Sequence, residues 1–190
     1  MTNPQIPAGT WTIDASHSEV GFSVRHLMVA KVRGTFERFE GTLTIAEDPL
    51  ASSVTATIDL ASINTRDEGR DAHLRSPDFF ETDTYPAMTF TSTSVTPDGD
   101  DFKVIGDLEI KGVSRSVELD LEFNGVHPDP WGGTRAGFSA ETEISRKAWG
   151  IDFEVPMDGG GVVVGDKIKV MLEIEAVLAA ADAPAETVDA

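Results

Sequence analysis

The sequence predicts an all-β protein: a closed antiparallel up-and-down β-barrel of about eight strands with a short helical plug. Three observations lead there. Apolar and polar residues alternate in segment after segment, most cleanly where Val117, Leu119, Leu121 and Phe123 oppose Glu118, Asp120 and Glu122, a pattern that suits a half-buried strand and no helix. The alternating segments are joined mostly by turns of hairpin length, with no long helical period between them to support parallel βαβ units. A flat sheet of this size would also leave two unpaired edges, which closure removes. A two-sheet sandwich is the alternative for the same strand count. Small inward residues, Ala56, Gly106 and Ala140, favour a barrel with unfilled space inside.

Trp11 to Ile13 opens the first strand, residues 14–17 break it, and Val20, Phe22 and Val24 then alternate with Gly21, Ser23 and Arg25. Residues 26–32 read as a brief helical turn. Extended structure resumes at Gly34 and runs through Leu43 and Ile45 to a turn at Glu47, Asp48 and Pro49. Val54, Ala56, Ile58 and Leu60 share one face of the next strand. A charged segment, residues 70–80, interrupts the series. A short helix is expected near 68–75, Pro77 stops it, and Phe79 and Phe80 present apolar surface that must plug something. Met88 and Phe90 begin the return, and residues 97–100 form a polar hairpin turn. Val104, Gly106, Leu108 and Ile110 follow, Lys111 and Gly112 turn the chain, and residues 124–133 read as a longer loop. Phe138, Ala140, Thr142 and Ile144 make another strand. After an irregular region that includes the turn Gly159, Gly160 and Gly161, Ile168, Val170, Leu172, Ile174 and Ala176 make the closing strand.

At 190 residues the chain has room for one sizeable domain. That barrel is expected over 11–178, after an N-terminal arm, 1–10, and before a disordered acidic tail, 179–190. With 33 acidic against 15 basic residues the formal charge is −18, which disfavours nucleic acid and polybasic attachment to an anionic membrane. The absence of cysteine excludes disulfides, thiolate metal sites and a cysteine nucleophile. The first seven residues hold no basic residue and no apolar run, so neither a secretory signal nor stable membrane insertion is expected, and the chain reads as cytoplasmic. Its oligomeric state, monomer or dimer, is open.

Four histidines are few, and neither H-E-x-x-H nor Gly-x-Ser-x-Gly occurs. No Lys-Ser/Thr follows the triple glycine. No metal, cofactor or covalent catalysis is therefore expected. Arg70, Asp71 and Arg75 read as an ion-pair and capping network that fixes the plug, with Arg75 or His26 as a lesser candidate for donating to a ligand head group. The residues expected to face a ligand are Phe22, Val24, His26, Phe36, Phe39, Val54, Ile58, Phe79, Phe80, Met88, Phe90, Leu108, Leu119, Leu121, Phe138, Ala140, Leu172 and Ile174.

Several segments together resemble a known family. They are Arg70-Asp71-x-His73-Leu74-Arg75-Ser76-x-Asp78-Phe79 followed by Tyr85-Pro86-x-x-x-Phe90-x-Ser92; Asp14-x-x-His17-Ser18; Gly106-x-Leu108-x-Ile110-x-Gly112-Val113; Pro130-Trp131-Gly132-Gly133 with Arg135-x-Gly137-Phe138; and Trp149-Gly150-Ile151. In order and spacing they resemble the YceI-like family, from about Trp11 to Val177. The resemblance implies a lipocalin-like barrel that encloses a long apolar partner, a polyisoprenoid or isoprenoid quinone, for transport or storage. A fatty-acid-like chain is the plainer substitute. The alternative is a hydrolase or isomerase with His26, Asp71 and His73 at the barrel mouth.

Overall fold

The computed structural model describes residues 6–180. The strands are β1 (Gly9–Ile13), β2 (Glu19–His26), β3 (Ala30–Phe36), β4 (Phe39–Ile45), β5 (Ser53–Asp59), β6 (Ile63–Asn64), β7 (Ala87–Asp98), β8 (Asp101–Ile110), β9 (Val113–Pro128), β10 (Thr134–Ser145) and β11 (Val164–Leu178), with helix α1 (Glu68–Arg75) between β6 and β7. Eight of them, β1, β4, β5 and β7 to β11, form a closed antiparallel barrel. The seam lies where Trp11, Thr12 and Ile13 pair with Leu178, Val177 and Ala176. Closure rules out the sandwich.

The three remaining strands continue the wall past short breaks. β2 pairs with β11 and β3, and β3 pairs with β6, so β1 and β2 are two parts of one kinked strand, as are β3 and β4. The break between β1 and β2 and the one between β5 and β6 have a local cause. Asp14 Oδ1 accepts from the Ser16 N–H (3.0 Å) and Asp59 Oδ1 from the Ala61 N–H (2.9 Å). A short acidic side chain here offers the backbone a turn in place of the ladder.

Three expectations need correction. Residues 26–32 form no helical turn: β2 and β3 make a hairpin whose tip holds Leu27 at φ 52° and Met28 at φ 60°. Neither residue belongs to the Gly, Asn and Asp group that marks such turns. The longer loop expected over 124–133 is only 129–133, because β9 continues to Pro128. Asn124 is an extra residue in that strand, between the pairs Phe123↔Phe138 and Gly125↔Gly137. Gly106 is small and inward, but the space above it is filled by the Phe90 ring.

Helix α1 occupies the expected residues, with Asp67, not Asp71, as its cap: Asp67 Oδ1 accepts from the Arg70 N–H at 2.9 Å. The chain beyond it closes one end of the barrel. Phe79 packs with Phe90, Val104, Ile110, Val117, Trp149 and Ile151, while Phe80 packs against Phe36, Ile58, Leu60 and Ile63. At the other end Trp11 is fully buried among Ile45, Ala136, Phe138, Ala176 and Leu178. From residue 181 the expected disordered tail lies outside the described residues, as do residues 1–5 of the arm.

Candidate functional site

In a closed barrel, alternation directs one row of each strand inward. Those rows do not fill this barrel. Val54, Met88, Leu108, Leu119 and Leu121 point inward yet are only half-buried, because they face a cavity of about 1400 Å³. That exceeds the roughly 300 to 1,000 Å³ usual for sites that take drug-sized ligands. The wall is almost wholly aliphatic and aromatic; its polar members are Glu47, Ser52, Ser53, Thr142 and Arg146.

Every residue expected to face a ligand lines this cavity except His26. His26 shares the inward phase of Phe22 and Val24 but stands at the last position of β2, opposite Ala30, beyond the cavity rim. Other lining residues were not among those expected to face a ligand. Val20, Leu43, Val104, Val117 and Ile168 are simply further members of the same alternating rows. Val95 is different. Thr93 is an extra residue between the pairs Ser92↔Gly106 and Ser94↔Ile105, so the strand changes phase there and Val95 turns inward.

Arg146 is the wall residue that alternation could not reveal. It is buried, and its guanidinium donates to three backbone carbonyls: Nη1 to Ile151 (2.7 Å), Nε to Gly165 (2.9 Å) and Nη2 to Val164 (3.2 Å). These bonds tie the end of β10 to the start of β11. Nearby, burial works against ionisation of Asp166. Hydrogen bonds from the Ser145 hydroxyl and the Lys147 N–H, with the charges of Arg146 and Lys147, outweigh it and hold its pKa below the ordinary value.

The plug network also differs from expectation. Arg70 and Asp71 do not pair with each other; both bind Thr65. Asp71 Oδ1 accepts from the Thr65 hydroxyl (2.5 Å) and N–H (2.9 Å), and Arg70 donates to the Thr65 hydroxyl and carbonyl at 2.8 Å. Arg75 donates to the Ala61 carbonyl at 3.1 Å, which holds the helix against the wall. His73 lies 2.8 Å from Asp78 Oδ2, its ring edge-on to Phe79 and Phe153. Among the described residues no hydrogen bond joins His26, Asp71 and His73, the group considered for catalysis.

Among the described residues one cluster has the spacing of metal ligands: Asp14, His17 and Glu175. A cation already binds two of its three members. Arg135 Nη1 lies 2.8 Å from Asp14 Oδ2 and 2.5 Å from Glu175 Oε1, and its Nε reaches Asp129 at 2.6 Å. Hydrogen bonding to Arg135, then to Ser16 and His17, keeps the Asp14 carboxyl well below the usual carboxylate range.

The profile of the YceI-like domain matches residues 11–176. The chain belongs to the YceI-like family. It is 42% identical over 165 residues to the protein YceI of Escherichia coli O17:K52:H18, an alignment that covers 86% of this chain and 83% of that one. The crystal structure of the YceI protein of Campylobacter jejuni superposes with a TM-score of 0.70 at 31% identity, over 87% of this YceI-like chain and 96% of that one. A polyisoprenoid binding domain from Saccharophagus degradans shares the fold at a TM-score of 0.67 and 18% identity, over 92% of this chain and 100% of that one.

Proposed function

We propose that this chain binds a long apolar isoprenoid-type lipid, a polyisoprenoid or isoprenoid quinone, inside its barrel and carries or stores it. The cavity carries this reading: about 1400 Å³ of space walled by aliphatic and aromatic side chains. Water gains few hydrogen bonds there, whereas an apolar chain gains roughly 0.8 kcal/mol for each methylene it buries. The fold shared with a polyisoprenoid binding domain supports the choice of lipid. The role is containment. Phe22, Phe36, Phe80 and Phe90 supply broad apolar faces, and Phe79 of the plug, in one buried cluster with Trp149, shields one end from water.

Solvent extraction of the purified protein followed by mass spectrometry is the direct test. A long isoprenoid recovered in stoichiometric amount is the expected result; a fatty acid would change the ligand class. Should the protein be empty, isoprenoid alcohols and quinones of increasing length, titrated in turn, should bind more tightly with length until the barrel is filled. Affinity independent of length would refute a ligand lying along the barrel.

A further inference from the structure

We propose that the β2–β3 tip is a docking surface for an anionic lipid bilayer, at which the barrel meets its apolar cargo. Six large apolar side chains are exposed among the described residues: Leu27, Met28, Val29, Leu50, Trp131 and Val155. Four of these sit together. Leu27, Met28 and Val29 are consecutive and 37%, 51% and 82% exposed. The Leu27 N–H donates to Val163 O at 2.9 Å and the Val163 N–H to Val155 O at 3.0 Å, which places Val155 in the same short ladder. The turn holds Leu27 and Met28 at positive φ, a conformation that Gly or Asn adopts at lower cost. Stability alone would select other residues here.

The charge around the tip runs against the rest of the chain. From Val20 to Phe36 there are Arg25, His26, Lys31 and Arg33 and no carboxylate, in a protein of net charge −18. Arg25 stands directly opposite Lys31, and Ser23 lies between Arg33 on one side and Lys169 on the other. Like charges placed opposite each other destabilise a sheet. Among the described residues Arg25, Lys31 and Arg33 have no acidic partner, while Lys169 pairs with Glu141 at 2.9 Å.

An apolar tip framed by unpaired cations matches the lipid headgroup boundary: the side chains enter it and each nearby cation adds attraction. That attraction acts within a Debye length of about 8 to 10 Å, so the net charge of the distant barrel wall does not cancel it. The loop joined to the tip through Val163 carries the carboxylates of Asp152, Asp158 and Glu154, the last paired with Lys147, and these confine the contact to the tip and the outer face of β2 and β3. A second copy of the chain would set cation against cation.

The purpose of this surface rests on the lipid cargo proposed above; its existence does not. Cosedimentation with vesicles of phosphatidylcholine alone, or with about 30% phosphatidylglycerol added to create a negative surface, tests it. The wild-type protein should sediment with the anionic vesicles at low salt, be released by high salt and ignore the neutral ones. Met28→Asp with Val29→Asp, and separately Arg25→Ser with Lys31→Ser and Arg33→Ser, should each weaken binding about tenfold or more. Trp131→Ser, at the opposite end, should bind as wild type. No sedimentation at low salt, equal binding to neutral vesicles, or unchanged binding by both folded tip variants overturns the proposal. Solvent extraction of the same preparation separates the two readings. Vesicle binding without any isoprenoid taken up retains the docking surface and removes the cargo, and the reverse result removes the docking surface.

Discussion

The ring of Phe90 covers Gly106 so closely that a Cβ on the glycine would stand 2.4 Å from Phe90 Cζ and 2.7 Å from the Thr91 carbonyl oxygen. Phe22 covers Gly34 in the same way, with Cζ 2.4 Å from the position of the missing Cβ. Each glycine lets a large ring lie flat across the neighbouring strand. Gly106→Ala should therefore destabilise the barrel by about 1 to 3 kcal/mol, measured by urea unfolding. Phe90→Leu in the same chain should recover part of the loss, since the backbone contact remains.

Ala140 faces the cavity and Glu141 faces outward, where it pairs with Lys169. Ala140→Trp should fill part of the space and weaken isoprenoid binding, whereas Glu141→Ala removes an exposed ion pair worth at most about 1 kcal/mol and should leave affinity unchanged. Titration of one isoprenoid alcohol into both folded variants and wild type checks this. Equal affinities would place the ligand outside the barrel.

Arg135 sets an acid limit on stability through Asp14 and Asp129. Both carboxyls have folded-state pKa values below the ordinary 3.8: for Asp14 the hydrogen bond to Arg135 is the main cause, for Asp129 the Trp131 N–H and then Arg135. The stabilisation from such a depressed pKa is fully present above the ordinary value and is lost as pH falls from there through the folded-state value. Arg135→Leu should lower the melting temperature at pH 7 and flatten its decline between about pH 4 and pH 2. A parallel drop at every pH, with no change of slope, would contradict the linkage.

Arg146→Met keeps much of the apolar stem and removes donors from the Ile151, Gly165 and Val164 carbonyls. Each buried acceptor left without a partner costs about 1 to 3 kcal/mol. The variant should lose about 3 kcal/mol or more in urea unfolding, and because Trp149 adjoins this site, its fluorescence should report the change.

Much of this architecture is legible in the sequence because strand alternation is a direct projection of inside and outside. Val117 to Phe123 gives the phase of β9, and Phe138 to Ile144 that of β10. Helix α1 shows itself through Pro77 and the aromatic pair that follows it. What escapes has specific causes. The extra residue Thr93 reverses the phase mid-strand with no glycine or proline beside it, and Asn124-Gly125, a pair that reads as a turn, is instead an irregularity inside β9. The Leu27 and Met28 turn carries none of the residues that normally signal positive φ. Arg146 is a charged side chain whose partners are carbonyls of residues 151, 164 and 165, so neither its burial nor its role follows from residue type.

The seam between Trp11 and Leu178 also sets a timetable. During synthesis the first strand leaves the ribosome and then waits for its last neighbour, on the order of ten to thirty seconds at about 5 to 20 residues per second. Throughout that interval the barrel cannot close, because β1 lacks the strand that seals it. Its first strand can be sealed only after translation has passed Leu178, and until then Trp11 is a ready target for a chaperone that holds apolar segments.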